Sequence, residues 1–192
     1  MDIHFLSIGE RPKNHLAILL VDDLKPPAEW SNYFDAANYA QSVPHTKDIT
    51  IHQSFHHSQL AVDTESIIFV RIKQDVLKKK KPLQRIASEL AFWCQQNEVS
   101  YLSLLSSFNP EETAEMVMSI YLSSYRFNRY KTKNLDKIHK LRKLTVVHTD
   151  PQKVRYHYKP LSAIIAGVNL CRDLVNEPSN ILTPPEFAQR CF

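Results

Sequence analysis

Short apolar runs alternate with segments of helical period along this chain, and that alternation limits what it can fold into. Ile3–Ile8 and His15–Val21 read as strands, the second almost continuously apolar. Pro26–Ala40 sets Trp30, Tyr33, Phe34 and Ala37 on one helical face. Ile49–Phe55 alternates like a half-exposed strand, Ser66–Ile72 is a compact apolar strand, and Tyr101–Leu105 and Leu144–His148 are two more. Between them Pro82–Gln96 carries Leu83, Ile86, Ala87, Leu90 and Cys94 at helical spacing. The segment Asn109-Pro110-Glu111-Glu112 has capping-box grammar and opens a helix expected to bury Ala114, Val117, Met118, Tyr121 and Tyr125. Such alternation predicts an α/β fold with a mixed, largely parallel sheet flanked by helices. After an exit from the sheet around Pro151–Pro160, Leu161–Val175 reads as a linker or docking helix with Leu161, Ile164, Ile165, Val168, Cys171 and Val175 on one side, ended by Pro178. The expected organisation is an α/β domain over 1–155 and a linker helix over 156–192.

Composition narrows the functions. Among 192 residues there are two glycines, Gly9 and Gly167, where average usage would give roughly thirteen. Phosphate-cradling loops need glycine so that backbone N–H groups can reach the ligand, so neither a P-loop nor a dinucleotide fingerprint is built here. Three cysteines, Cys94, Cys171 and Cys191, give no metal spacing and no disulfide framework, which makes a reducing cytoplasm the expectation. No run of eighteen apolar residues occurs, and the N-terminal ten residues lack the basic flank and apolar stretch of a signal peptide, so no membrane partner is expected. The formal net charge of +4 permits nucleic-acid contact without demanding it.

Four groups of residues could carry chemistry. His52 and His56 would share one side of a strand, with His57 and His45 close by; imidazole binds metals, but no third ligand stands at a recognised spacing. Tyr125–Lys143 holds eight basic side chains, among them Arg126, Arg129, Lys131, Lys133 and Lys140, against one acid, Asp136. With aromatics interleaved, that stretch could track phosphates, the plainer reading being a solvated helix end. His148-Thr149-Asp150 lies at a strand end, where α/β sites gather, though as a pair without a third partner. Cys94 sits on an apolar helical face and reads as core, and the acid pairs Asp22-Asp23 and Glu111-Glu112 read as a turn and a helix start.

The last residues begin a helix as the chain ends: Thr183 can cap it, Pro184 suits its first position and Glu186 can close a capping box. So short a helix is marginal alone, and it is expected to fray or to borrow a surface from another copy of the chain.

Here the sequence resembles a known family. C-R-D-L-V-N-E-P-S-N-I-L-T-P-P-E-F-A, Cys171–Ala188, is similar to the segment that joins the two domains of leucyl (cytosol) aminopeptidases. The likeness is carried by Arg172, Leu174, Val175, Asn176, Pro178, Asn180, Leu182, Thr183 and Pro184. S-Y-R-F-N-R-Y-K-T-K, Ser124–Lys133, looks like the segment that closes a long helix in that family's N-terminal domain. The resemblance implies a macrodomain-like N-terminal α/β domain, a following catalytic domain and, typically, a homo-oligomer. It implies two divalent metals, zinc or manganese, in that catalytic domain, whose N-T-D-A-E-G-R signature this sequence lacks. No catalytic or metal residue of the family therefore maps onto this chain, and Thr183 is expected to open a domain that continues past Phe192. Some bacterial relatives also bind DNA, which keeps the basic stretch as an alternative. The chain departs from the family where a glycine-bearing strand is replaced by F-V-R-I-K, Phe69–Lys73, and where the helix before Tyr125 lacks glycine; both departures argue against an ADP-ribose pocket.

Overall fold

A computed structural model describes residues 1–8, 14–21, 49–54, 64–77, 81–133 and 141–191. Its elements run β1 (Asp2–Ser7), β2 (Asn14–Val21), β3 (Ile49–Ser54), β4 (Thr64–Ile72), α1 (Gln74–Leu77), α2 (Pro82–Gln96), β5 (Tyr101–Leu105), α3 (Pro110–Ser123), β6 (Lys143–His148), α4 (Pro151–Asn176) and α5 (Pro184–Cys191). Six strands form one sheet in the order β1-β6-β5-β2-β4-β3. Every pairing is parallel except β3 against β4. The mixed, largely parallel sheet read from the alternation is therefore present. The helix expected over Pro26–Ala40 lies outside the described residues.

The central strands are apolar because both their faces are covered: Ala17, Ile18, Ile68, Phe69, Val70, Leu104 and Val146 are fully buried. Helix α2 buries the predicted stripe of Leu83, Ile86, Ala87, Leu90 and Cys94. Burial also pushes the Cys94 thiol up to about 12, so this sulfur is a core atom and no thiolate nucleophile. Helix α3 opens on a complete capping box: Glu112 N–H donates to Asn109 Oδ1 at 2.8 Å, and the Glu112 carboxylate accepts from Asn109 N–H. It lies between α2 and α4 and is buried around more of its girth than one stripe allows. Met116 and Ile120 join Ala114 and Val117 in the core, while the expected Met118, Tyr121 and Tyr125 are half-buried.

Two corrections concern α4. It begins at Pro151 and passes straight through Pro160, ten residues before the expected start. Asp150 caps it by accepting from Lys153 N–H at 3.1 Å. Pro160 and Tyr156 both face solvent, so water can satisfy the Tyr156 carbonyl that loses its intrahelical donor. Its buried line also differs from the expected one. Val154 and Ile165 are buried and Leu161 and Val168 half-buried, whereas Ile164, Cys171 and Val175 are exposed.

Candidate functional site: a clasp around Glu177

The two stretches that carry the resemblance meet in space. Arg172, on the last turns of α4, donates from Nη1 to the Leu122 carbonyl at 2.6 Å and lays its guanidinium over the Tyr125 ring, 5.3 Å from the centroid. The Tyr125 hydroxyl donates to Asp173 Oδ1 at 2.6 Å. Burial, then Asp173, raises the Tyr125 pKa. Asn176 Nδ2 reaches back to the Arg172 carbonyl at 2.7 Å, tightening the helix end.

Glu177 stands at the centre, its side chain fully buried. A buried carboxylate is costly unless it is paired and hydrogen-bonded. Arg129 and the Tyr130 hydroxyl both donate to it, and Arg190 of α5 donates to Oε1 at 2.9 Å. Arg190 also donates to Glu186 at 2.7 Å. The Tyr130 hydrogen bond does most to hold the Glu177 carboxyl below its usual range, helped by Arg190 and Arg129 and opposed by burial. In return Glu177 raises the Tyr130 hydroxyl. Pro178 turns the chain: its carbonyl accepts from Ile181 and Leu182 N–H groups at 2.9 Å each. Asn180 lies exposed in that turn, and Pro184 opens α5 after it. The Thr183 carbonyl accepts from Phe187 N–H at 2.8 Å, inside the first turn of α5. The closing helix neither frays nor needs a surface from another copy, the two outcomes expected of it: it is tied to its own chain through Arg190 and Glu177.

The clasp changes the reading of the basic stretch. Arg129 is neutralised by Glu177, and Arg126 donates to the Tyr125 carbonyl at 2.8 Å and to Gln95. Lys131 and Lys133 are exposed, and Lys140 lies outside the described residues. Glu177 itself went unremarked in the sequence; the available signal was a lone acid between Asn176 and Pro178 with arginines upstream.

The His148–Asp150 candidate resolves as scaffold. His148 is buried, and its Nδ1 accepts from Asp150 N–H at 2.9 Å. That contact leaves the proton on Nε2, which donates to the Phe108 carbonyl at 2.9 Å. Both ring nitrogens are thus used to hold the β6–α4 turn, and Asp150 is a helix cap. His45, His56 and His57 lie outside the described residues, and for His52 only the backbone, paired with Phe69, is described. Among the described residues no three His, Cys, Asp or Glu side chains cluster as metal ligands, so these residues do not fit the two-metal centre of the family. No helix among the described residues is long and apolar enough to cross a membrane.

Comparison with known proteins agrees with the geometry. No family profile matches the chain. It is 45% identical over 80 residues to a probable cytosol aminopeptidase of Rhizobium leguminosarum, a stretch covering 40% of this chain and 16% of that protein. A probable cytosol aminopeptidase of Rhodopseudomonas palustris is 40% identical over 86 residues, 44% of this chain and 17% of the relative. Among solved structures, a tomato leucine aminopeptidase mutant superposes with a TM-score of 0.66 at 14% identity, covering 100% of this chain and 41% of that one. The bottromycin maturation enzyme BotP, in complex with Mn, gives 0.61 at 18% identity, over 92% and 34%. The chain thus spans well under half of each relative. The linker motif, the helix-closing motif it clasps and these likenesses agree that part of the chain is similar to cytosol aminopeptidases and that its fold is shared with a leucine aminopeptidase.

Proposed function

We propose that the chain is the non-catalytic N-terminal domain of a leucyl-aminopeptidase-like metallo-exopeptidase, an enzyme that releases N-terminal amino acids from peptides. Its work is positional: it packs on a catalytic domain that holds two divalent metals, zinc or manganese, and helps a cytoplasmic homo-oligomer assemble. The observation that carries this reading is the outward side of α4. At about 100° per residue, Tyr156, Ala163, Gly167 and Leu170 fall opposite the buried Val154 and Ile165, and Ile164 and Val175 lie together around one side of the helix. Tyr156 is 76% exposed, Ile164 53%, Leu170 51% and Val175 84%. A helix apolar on both sides suits a position between two bodies. The clasp around Glu177 supports it by fixing where α5, the first helix past the linker motif, leaves the sheet.

The test mixes the chain with the separately produced, manganese-loaded catalytic domain of a cytosol aminopeptidase. Light scattering after size exclusion reads assembly, and leucine p-nitroanilide reads turnover. The chain alone should show no turnover, and the mixture should co-elute as a complex that Ile164→Asp/Leu170→Asp abolishes. Separate elution, or a complex indifferent to those substitutions, would overturn the reading.

A further inference from the structure

Strand β1 ends the sheet of described strands, paired only with β6. Its residues alternate in the direction of their main-chain groups. Asp2 N–H donates to the Arg142 carbonyl at 2.8 Å and Ile8 N–H to the His148 carbonyl at 3.3 Å. The even-numbered residues thus point their amides at β6. Ile3 and Phe5, between them, point theirs at the edge away from β6, which no described strand pairs. An edge of this kind is a template for another strand unless charge, proline or a covering element blocks it. Neither proline nor lysine occurs in D-I-H-F-L-S, and its one acid, Asp2, sits at the start of the strand on the face opposite Ile3 and Phe5.

Beside that edge runs a groove of about 520 Å³, floored by Ile3 and Phe5 and walled by α4. The wall holds Tyr158, tilted against Phe5 with ring centroids 5.8 Å apart, and the largely exposed Tyr156. It also holds Arg155 and Lys159, one helical turn apart, and among the described residues no carboxylate lines the groove. Lys153 is paired with Asp150 on the same helix; Arg155 and Lys159 form no ion pair among the described residues. Apolar floor, main-chain donors and acceptors, and a pair of cations with no carboxylate partner among the described residues therefore converge on one trough.

We propose that this groove takes an extended peptide segment with carboxylates at alternate positions, added as a strand to β1. The segment's main chain would pair with the outward N–H and C=O groups of Ile3 and Phe5. The side chains facing α4, on alternate residues, would lay their methylene stems on Ile3, Phe5 and Tyr156 and reach Arg155 and Lys159 with their carboxylates, and the residues between them would turn to the opposite face. Strand addition of this type draws affinity from main-chain bonds and selectivity from what the alternate side chains meet. The inference does not depend on the chain's place in an aminopeptidase, because it needs only the isolated chain; Tyr156 is the one residue the groove shares with the outward side of α4 named above.

The probe is a fluorescein-labelled seven-residue peptide alternating valine and glutamate, with the valine–lysine peptide as its control. Anisotropy with the full chain should show the glutamate peptide binding at least tenfold more tightly than the lysine peptide. Arg155→Glu/Lys159→Glu should reverse that order. Ile3→Pro removes an outward N–H without touching the β6 ladder and should weaken binding about tenfold, while the circular dichroism spectrum stays unchanged. Amide shifts of Ile3 and Phe5 in the unaltered chain give a readout independent of any variant. Equal binding of both peptides would overturn the proposal. So would a glutamate preference that leaves the Ile3 and Phe5 amides unmoved, since the groove would then be only a basic surface.

Discussion

Glu177 shows how one buried charge organises a region. Its carboxyl is held low, first by the Tyr130 hydroxyl and then by Arg190 and Arg129. A carboxyl whose folded pKa is depressed contributes stability that is complete above its unfolded value, about 4.3. That contribution disappears as the pH falls through the folded value. Glu177→Gln removes the charge at every pH. The variant should therefore melt below the parent at neutral pH, and the gap should close as the pH falls through the folded Glu177 value, below which both side chains are uncharged. Melting temperatures across that range check it; a gap of constant width would show that the charge is not what holds the clasp. Hydrogen exchange at the Phe187 amide should quicken in the variant, because α5 is tied down through Arg190. Much of this was beyond sequence reading. Arginines and a lone glutamate 48 residues apart look like a basic run and a turn until the chain brings them together. Scarcity of glycine also had an unread effect at this scale: Lys81 and Glu98 take left-handed backbone positions, φ 55° and 60°, that glycine would occupy without strain.

At the scale of elements, the strands were legible because a strand buried on both faces must be apolar throughout, and Tyr101–Leu105 is found with the bounds expected. Helix α2 was legible for the complementary reason: one face meets the core and the other meets water. Helix α4 broke both rules. Pro151 and Pro160 each suit a first helical turn, and Asp150 looked more like half of a site than a cap. Its apolar residues occupy nearly the full circumference, so periodicity could not say which side faces the sheet. The interior proline gives a prediction. Pro160→Ala restores an N–H donor to the Tyr156 carbonyl and removes the ring from the helix. It should stabilise the chain by about 1–3 kcal/mol, the upper figure being the full propensity difference, reduced by the greater freedom alanine allows the unfolded chain. Denaturant titration checks this; a loss of stability would mean that the proline shapes α4 against a neighbour.

For the whole molecule the question is why α4 keeps an apolar outward side at all. Gly167 lies on that side, in mid-helix, and a Cβ added there would meet nothing within 4 Å. Within this chain the glycine therefore costs helix stability, about 0.8–1 kcal/mol relative to alanine, with no contact to offset it. Glycine in such a place has a use if another surface approaches the helix backbone closely. Two measurements on one substitution then move in opposite directions. Gly167→Leu should raise the stability of the isolated chain by several tenths of a kcal/mol or more, and it should weaken assembly with an aminopeptidase catalytic domain at least tenfold, because the leucine stands where the partner must pack. A packing clash of about 1–3 kcal/mol is enough for that change. If stability rises and assembly is untouched, the partner does not cover Gly167, and the docking surface must be shifted around α4 toward Ile164 and Val175. If stability falls instead, the outward side is already occupied within the chain, and the positional role assigned to α4 fails with it.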